Sequence, residues 1–272
     1  MLIIPDAGTN DKNEIKHINE DGIDILILDH HELEGKNKQE DLIFDDALNG
    51  TIYETVIVNN QMSNNYSNKN LCGAGVVYRF LQALDEENWN EFADDYLDLC
   101  ALANISDVMD MRSFETRYFT DMGLLNIQNK CFKALVDAQD YSMGGKINIH
   151  NVQWYITPIL NGMIRIGSSE EKELLFRAFI EQDEFFEYKK RKPAETIQES
   201  IYDRAARLCK NAKSRQDKQK EKCVSQIAEI AQHIPQENKV VMIDTSDILD
   251  NGLTGVVAIK IAEMFNKHVS TK

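Results

Sequence analysis

The sequence has no apolar run close to the ~18 residues that a membrane-spanning helix needs, so we expect no membrane segment. Its first residues, from Met1 to Asp6, include no basic segment, so they do not resemble a signal peptide. The five cysteines are scattered and form no Cys-x-x-Cys pair. Their spacing excludes a disulfide framework or a zinc site and predicts a reduced, cytoplasmic protein.

An excess of positive charge is also missing, since the formal net charge of the 272 residues is −15. This balance weighs against a protein covered with basic residues for nucleic acid, although the local field decides what binds. Residues 189–222 are the exception, with 12 Lys and Arg against 5 Asp and Glu. We predict a long basic connecting helix over 194–235. The charge asymmetry favours a role in holding a polyanion, and a solvated helix face is the alternative.

The most informative stretch is 24–32, where four apolar residues run directly into Asp29, His30 and His31. A short continuous apolar run is typical of a strand buried on both faces of a parallel sheet. Ligands bind at the carboxyl ends of such strands. One carboxylate and two imidazoles delivered there together predict a metal site, and a polar turn is the alternative.

A second carboxylate is predicted at the same edge of the sheet. Residues 2–4 read as a strand, residues 11–20 as a helix and residues 24–28 as the next strand. A strand, helix and strand of this length form a βαβ crossover with parallel strands. Asp6 and Asp29 should therefore lie side by side, which raises Asp6 from a turn residue to a candidate metal ligand.

Two further segments carry candidate site residues. Gly73 and Gly75 open a predicted helix, where glycines allow backbone amides to approach a phosphate. Close helix packing explains these small residues equally well. Asp107 follows a helix predicted over roughly 91–104, where a surface acid or a helix cap is the ordinary interpretation.

The remaining segments give three structural predictions. Residues 59–70 contain six asparagines and are predicted as a surface loop. Arg165 lies in a predicted loop that starts at Pro158, where it could clamp a phosphate. Ser168 begins a capping box, and the helix that follows is predicted to run to about residue 187.

Four separated pieces, taken in order, resemble the DHH family of phosphoesterases. They are Asp6-Ala7-Gly8, residues 28–32 (Leu-Asp-His-His-Glu), residues 72–76 (Cys-Gly-Ala-Gly-Val) and Ser106-Asp107-Val108. Glu32 and the stretch Pro158…Asn161…Arg165-Ile166-Gly167 are similar to the RecJ branch of single-strand-specific exonucleases. Residues 253–257 resemble the start of the DHH-associated domain.

The resemblance implies an α/β fold, with a parallel sheet and flanking helices, a long connecting helix and the start of a second α/β domain. It divides the chain into four segments. Residues 1–130 would be a DHH domain that lacks its first strand or strands, and 131–193 the helical part of the DHH core with the arginine loop. Residues 194–235 would be the connecting helix, and 236–272 the beginning of the DHH-associated domain.

The resemblance also implies a site with two divalent cations, Mn²⁺ or Mg²⁺. Asp6, His30 and Asp107 would be metal ligands, while Asp29 and His31 would be catalytic. Four residues would hold substrate phosphate, namely Arg165, Asn161, Gly73 and Gly75.

The sequence departs from the family at several points. The family's first motif, Asp-x-Asp, and the glycine-rich motif of the DHH-associated domain are both absent from the 272 residues, which predicts a chain truncated at both ends. Ile159 and Ile164 replace residues of the RecJ phosphate motif, and Glu263 stands where RecJ proteins tend to have arginine. We therefore expect weak activity or none from these 272 residues alone.

The function that follows is metal-dependent hydrolysis of single-stranded DNA by a RecJ-like 5′-to-3′ exonuclease in DNA repair or recombination. Two alternatives remain open. One is a DHH phosphoesterase for short oligonucleotides or cyclic dinucleotides. The other is an inactive scaffold that binds DNA or a replication partner. Single-stranded DNA is the expected partner in the first case, and replication or repair proteins are candidate partners.

Overall fold

The computed structural model describes residues 1–34, 55–191, 194–232, 240–245, 253–266 and 268–271. The chain divides into two compact units, which are described separately. Unit 1 comprises residues 1–133 and 143–154, and unit 2 comprises residues 134–142 and 155–272. None of the helices in the described ranges combines the length and the apolar composition needed to cross a membrane.

Unit 1 begins with three strands and a crossover helix. Its elements are β1 (Leu2–Pro5), α1 (Lys12–Glu20), β2 (Ile25–Asp29), β3 (Thr55–Asn59), α2 (Gly73–Asn88), a 3₁₀ turn (Ala93–Tyr96), α3 (Leu97–Ser106), α4 (Phe114–Leu125), the start of α5 (Lys130–Met143), the short α6 (Ile149–Asn151) and the start of a π-helical turn (Val152–Ile156). The strands form one parallel sheet in the order β1-β2-β3. The predicted α/β fold with a parallel sheet is confirmed.

The central strand β2 is apolar because both of its faces are covered. Ile25 and Ile27 pack with Ile15 of α1 on one side of the sheet. Leu28 packs on the other side with Leu71 and Val76, next to α2. Continuous burial of this kind explains why β2 lacks the alternation of polar and apolar residues seen in half-exposed strands. Its first polar residue is therefore delivered at its carboxyl end.

Unit 2 is built around one long helix. Its elements are the rest of α5, α7 (Thr157–Ile166), α8 (Ser169–Phe179), β4 (Phe185–Arg191), β5 (Ala194–Ser200), α9 (Ile201–Gln232), β6 (Val240–Ile243), α10 (Thr254–Phe265) and β7 (His268–Thr271). Strands β4 and β5 form an antiparallel hairpin, and β6 and β7 form a parallel pair joined through α10. Ile227 of α9 packs with Ile243 of β6 and Val257 of α10.

Two predicted helices in unit 2 are shorter than the sequence indicated. The capping box at Ser168 is present, but α8 ends at Phe179 instead of near residue 187. The helix predicted from residue 194 begins at Ile201. Residues 185–191 and 194–200 instead pair along their whole length as the β4–β5 hairpin, whose ladder satisfies the backbone groups that a helix would have used.

Two predicted loops also differ in the structure. The stretch that contains Arg165 is the helix α7, with Pro158 in its first turn, where a missing amide hydrogen costs nothing. In the asparagine-rich segment, Asn59, Asn60 and Asn68 are buried. The Asn68 side-chain amide donates to the Glu115 carboxylate and to the Thr116 hydroxyl, and both of these residues lie on α4. The predicted surface loop is therefore wrong for these positions, because long-range hydrogen bonds satisfy the buried amides.

Candidate metal centre

Asp6, His30 and His31 converge at the carboxyl edge of the parallel sheet. Each offers one ligand atom, and these atoms all lie within 4.8 Å of one another. His30 Nε2 lies 3.2 Å from Asp6 Oδ1. The convergence follows from the register, because β1 and β2 are neighbours and the Asp6 amide donates to the Leu28 carbonyl at 2.8 Å. The predicted proximity of Asp6 to the Asp-His-His stretch is observed.

Asp6 occupies a turn that few side chains would accept. Its φ is 60°, in the left-handed region, which aspartate tolerates better than most residues. Gly73, the first residue of α2, lies directly against it. A Cβ at Gly73 would overlap the Asp6 carboxylate, and its distance to Asp6 Cβ would be only 2.7 Å. The glycine therefore provides the space that the Asp6 side chain fills.

Asp29 is buried behind the site and fully engaged in hydrogen bonds. Its Oδ2 accepts from the Thr9 amide at 3.1 Å. Its Oδ1 accepts from the His30 amide at 2.7 Å, from the His31 amide at 3.2 Å and from His31 Nδ1 at 2.7 Å. Burial alone would raise the pKa of this carboxyl, but the hydrogen bonds from Thr9, His31 and His30 outweigh it and hold the pKa well below its usual range. Asp29 is therefore ionised at neutral pH, and it holds the His31 ring in place.

His31 is held by one ring nitrogen and presents the other. Because Nδ1 carries the hydrogen that Asp29 accepts, Nε2 is left with its lone pair when the ring is neutral. The hydrogen bond to Asp29 raises the pKa of His31, and the nearby carboxylates of Asp6 and Asp107 add to the effect, while burial opposes it. A histidine backed by a carboxylate in this way is the usual arrangement of a metal-binding imidazole.

Asp107 lies at the end of α3, where it is the C-terminal cap residue. Burial and the charge of Asp6 raise the pKa of its carboxyl, while His30 and His31 oppose the shift. Its oxygens are not among the group of mutually close ligand atoms in the described residues. Asp107 is thus within electrostatic range of the centre, and its role as a ligand stays a prediction.

Sequence reasoning missed two residues that support the site from behind. Thr9 is completely buried, and Asn59 is almost so. The Asn59 amide donates to Thr9 Oγ1 and to the His31 carbonyl, both at 3.0 Å. Asn59 ends β3 directly opposite Asp29, which is the signal that could have identified it.

The predicted phosphate-binding residues fall in both units. Gly75 is buried against Leu71 and Asn104, so packing accounts for its small size. Asn161 and Arg165 lie on α7 in unit 2, where Arg165 is exposed. Their contact with phosphate stays a prediction, as does that of Gly73.

The donor set fits a hard divalent cation. Carboxylate oxygen and imidazole nitrogen suit Mn²⁺ or Mg²⁺, whereas a thiolate would favour softer metals. Cys72, the nearest cysteine in sequence to Gly73, is buried, and burial raises its thiol pKa to about 12. It therefore remains protonated and offers no thiolate.

Comparison with known proteins finds a family match for the N-terminal part of the chain. Residues 1–104 match the family described as "DHH family, N-terminal domain". This segment contains all three strands of the parallel sheet, together with Asp6, Asp29, His30 and His31. These matches support a RecJ-like DHH protein, as its motifs predicted.

Three relatives define that likeness. The chain is 40% identical over 274 residues to YorK of Bacillus subtilis (strain 168), whose name describes an SPbeta prophage-derived single-strand DNA-specific exonuclease; the match covers 99% of this chain and 44% of YorK. It is 27% identical over 172 residues to the single-stranded-DNA-specific exonuclease RecJ of the same organism, covering 62% of this chain and 20% of RecJ. The crystal structure of RecJ from Thermus thermophilus in complex with Mn²⁺ superposes with a TM-score of 0.72 at 20% identity, over 99% of this chain and 35% of that one. The chain thus spans less than half the length of these relatives.

Proposed function

We propose that this chain binds divalent cations through Asp6, His30 and His31 and takes part in metal-dependent hydrolysis of single-stranded DNA, as a RecJ-like exonuclease. The convergence of these three side chains within 4.8 Å carries the proposal. The names of YorK and RecJ support the substrate class, and the Mn²⁺ complex of the Thermus relative supports the kind of metal. The buried thiols support the predicted cytoplasmic location.

Some residues of the chain would bind the metal, and others would orient the ligands or hold phosphate. Asp6 and the two histidines would supply the ligand atoms, while Asp29 fixes the ring of His31 through its Nδ1. Bound divalent cations would lower the pKa of the attacking water and stabilise the charge on the reacting phosphate. Asp107 would complete the ligand set, and Arg165 with Asn161 would hold a backbone phosphate. Gly73 and Gly75 would bring backbone amides to a second phosphate.

The test measures metal binding and hydrolysis separately. Mn²⁺ is titrated into the metal-free chain by calorimetry, and a 5′-labelled single strand is then followed with the protein in excess, because we expect slow turnover. We expect Mn²⁺ to bind and to support cleavage of the single strand in preference to the same strand in a duplex. Asp6→Asn and His30→Gln should each abolish both Mn²⁺ binding and DNA cleavage.

His17→Gln is the matched control, since His17 is an exposed histidine of α1 whose side chain lies next to Glu20. It should bind Mn²⁺ and cleave DNA like the unmodified chain. A chain that takes up no Mn²⁺ would contradict the metal site. Mn²⁺ binding that survives in both site variants would place the cation elsewhere, and equal cleavage of single strand and duplex would contradict the substrate class.

A further inference from the structure

Asn104 is a buried polar residue that joins two helices of unit 1. It lies in the last turn of α3 and is completely buried. Its Oδ1 accepts from the backbone amide of Cys72 at 3.3 Å, and its Nδ2 donates to Cys100 Sγ at 3.6 Å. A buried amide that is satisfied on both sides is held in one orientation. Because Cys72 is the N-cap residue of α2, the Asn104 side chain ties the end of α3 to the start of α2.

The first turn of α2 contacts both Asn104 and a candidate metal ligand. A Cβ on Gly75 would lie 3.4 Å from Asn104 Oδ1, so the glycine lets this side chain come close to the helix. Gly73, the residue directly after the N-cap, leaves the space that Asp6 fills. Any shift of this turn relative to α3 would therefore be felt at Asp6.

The end of α3 is a strained turn that carries Asp107. The Asn104 carbonyl accepts from the Met109 amide at 3.0 Å, and the Ile105 carbonyl accepts from the Val108 amide at 3.1 Å. This pair of hydrogen bonds is the Schellman motif, with Asp107 as the C-cap residue. Its left-handed position usually holds glycine, but here it holds Val108, with a φ of 56°. A β-branched residue is strained in this conformation, which persists only where the surrounding structure holds it, and such strain is common at functional sites.

We propose that Asn104 is a positioning residue of the metal centre, which sets the place of Asp107 relative to Asp6. The inference rests on the proposed function, because it takes Asp107 as a metal ligand. The Asn104 carbonyl closes the turn that contains Asp107. The Asn104 side chain holds the Cys72 amide, and the residue after Cys72 lies against Asp6. One buried residue thus connects the two carboxylates, which come from distant parts of the sequence.

The alternative is that Asn104 only stabilises the packing of α2 on α3. Both interpretations predict that its replacement destabilises the fold, since the buried Cys72 amide loses its acceptor. Only the positioning role predicts an altered metal site in a chain that is still folded, and an effect that depends on the presence of Asp107.

The test is a double-mutant cycle on Mn²⁺ affinity, measured by calorimetry with the metal-free chain. Asn104→Leu keeps the approximate size of the side chain and removes the acceptor for the Cys72 amide. We expect it to weaken Mn²⁺ binding about 10- to 100-fold, the usual effect of losing a group that orients a ligand. Asp107→Asn should weaken binding too. Adding Asn104→Leu to Asp107→Asn should then weaken it by less than about twofold more, because the carboxylate to be positioned is already gone.

Cys100→Ala is the matched control, because it removes the other hydrogen-bonding partner of the same buried amide. It should lower the stability to urea and yet bind Mn²⁺ like the unmodified chain. The electron paramagnetic resonance spectrum of bound Mn²⁺ is a second readout, since it reports the arrangement of the ligands and not the stability of the fold. At saturating Mn²⁺ the spectrum should change in Asn104→Leu and in Asp107→Asn, and stay unchanged in Cys100→Ala.

Several outcomes would overturn the inference. One is a folded Asn104→Leu chain that binds Mn²⁺ as tightly as the unmodified chain, and another is Asp107→Asn with undiminished affinity. A loss that is the same with and without Asp107, or the same in Cys100→Ala, would make Asn104 a purely structural residue. If Asn104→Leu does not fold, Asn104→Ala removes the same acceptor without adding a branched side chain, and failure of both to fold also makes the residue purely structural.

Failure of the proposed function gives a different result. In that case the unmodified chain takes up no Mn²⁺, or its Mn²⁺ binding survives Asp6→Asn, and the metal site and the role of Asn104 are contradicted together. If Mn²⁺ binding requires Asp6 but is indifferent to Asn104, only the present inference fails.

Discussion

Replacing Gly73 with alanine should weaken metal binding while leaving the chain folded. The new methyl carbon would lie 2.7 Å from Asp6 Cβ, whereas non-bonded carbons settle at ~3.5–4.0 Å. Asp6 therefore has to retreat by roughly 1 Å. Metal–ligand distances tolerate only about 0.2 Å, so the carboxylate would leave its place in the site. We expect Mn²⁺ affinity to fall about 10- to 100-fold, as when a ligand loses its orientation.

The effect on stability should be small because two contributions oppose each other. Alanine is favoured over glycine in a helix by up to about 1 kcal/mol, and Gly73 is the first residue of α2. The displaced Asp6 side chain is 57% exposed, so it can move toward solvent without opening the core. The free energy of unfolding in chelator should stay within about 1 kcal/mol of the unmodified value.

Calorimetric titration with Mn²⁺ measures the first effect, and urea unfolding of the metal-free chain measures the second. Gly255→Ala is the matched control, because Gly255 lies in the first turn of α10 and a Cβ there meets nothing within 4 Å. It should bind Mn²⁺ normally. If the Gly73 variant is folded and binds Mn²⁺ as tightly as the unmodified chain, then Asp6 is not a ligand in the arrangement described.

Three further predictions concern the hydrogen-bonded support of unit 1. Asp29→Asn should lower the pKa of His31 toward the ordinary ~6.5, because the anion that raises this pKa is removed. A nuclear magnetic resonance titration of the metal-free chain measures the change, and an unchanged pKa would contradict the role of Asp29. Asn68→Ala should lower the free energy of unfolding by about 2–3 kcal/mol, because it leaves buried hydrogen-bonding partners unsatisfied. Asn65→Ala, at an exposed position, should lower it by less than about 0.5 kcal/mol, and equal losses in the two variants would refute the hydrogen-bond network. Burial, and then the hydrogen bond to a carboxylate, raises the pKa of Tyr66. In an ultraviolet titration of the folded chain, Tyr66 should therefore ionise above the ~10 of ordinary tyrosine, and unfolding should remove the difference.

The edge of the sheet that carries the centre could be predicted because its signals are local. The apolar run of β2 ends abruptly at Asp29, and the short connection through α1 forces β1 to run parallel to β2. These two facts bring Asp6 to His30 without any knowledge of the rest of the fold. The position of Asp107 relative to them depends on how α3 packs, and no local pattern encodes that.

The burial of the asparagines could not be predicted. The sequence around an asparagine looks the same whether the residue lies in a turn or in a buried hydrogen-bond network. Asn59 and Asn68 look like loop residues until their partners are known. The partners of Asn68 are 47 and 48 residues away in the sequence, on α4. Burial of an amide is decided by such distant donors and acceptors, which is why the sequence favoured a surface loop.

The hairpin of unit 2 was hidden for a related reason. Residues 185–200 are rich in Glu and Lys, which are good helix formers, and they follow a well-capped helix. Local preference therefore favours continuation of α8. Pairing of β4 with β5 and the stacking of Arg204 on Phe186 supply the stabilisation that reverses this preference.

The register of the three parallel strands has a consequence for how the chain folds. Asn59 stands opposite Asp29, and in that pairing its amide reaches the His31 carbonyl. A slip of one residue would bring Val58 to that place and turn Asn59 to the other face of the sheet. Pairing between segments so far apart in sequence is a slow folding event. Mn²⁺ added during refolding should therefore be taken up late, and the time course of its uptake would report completion of the sheet.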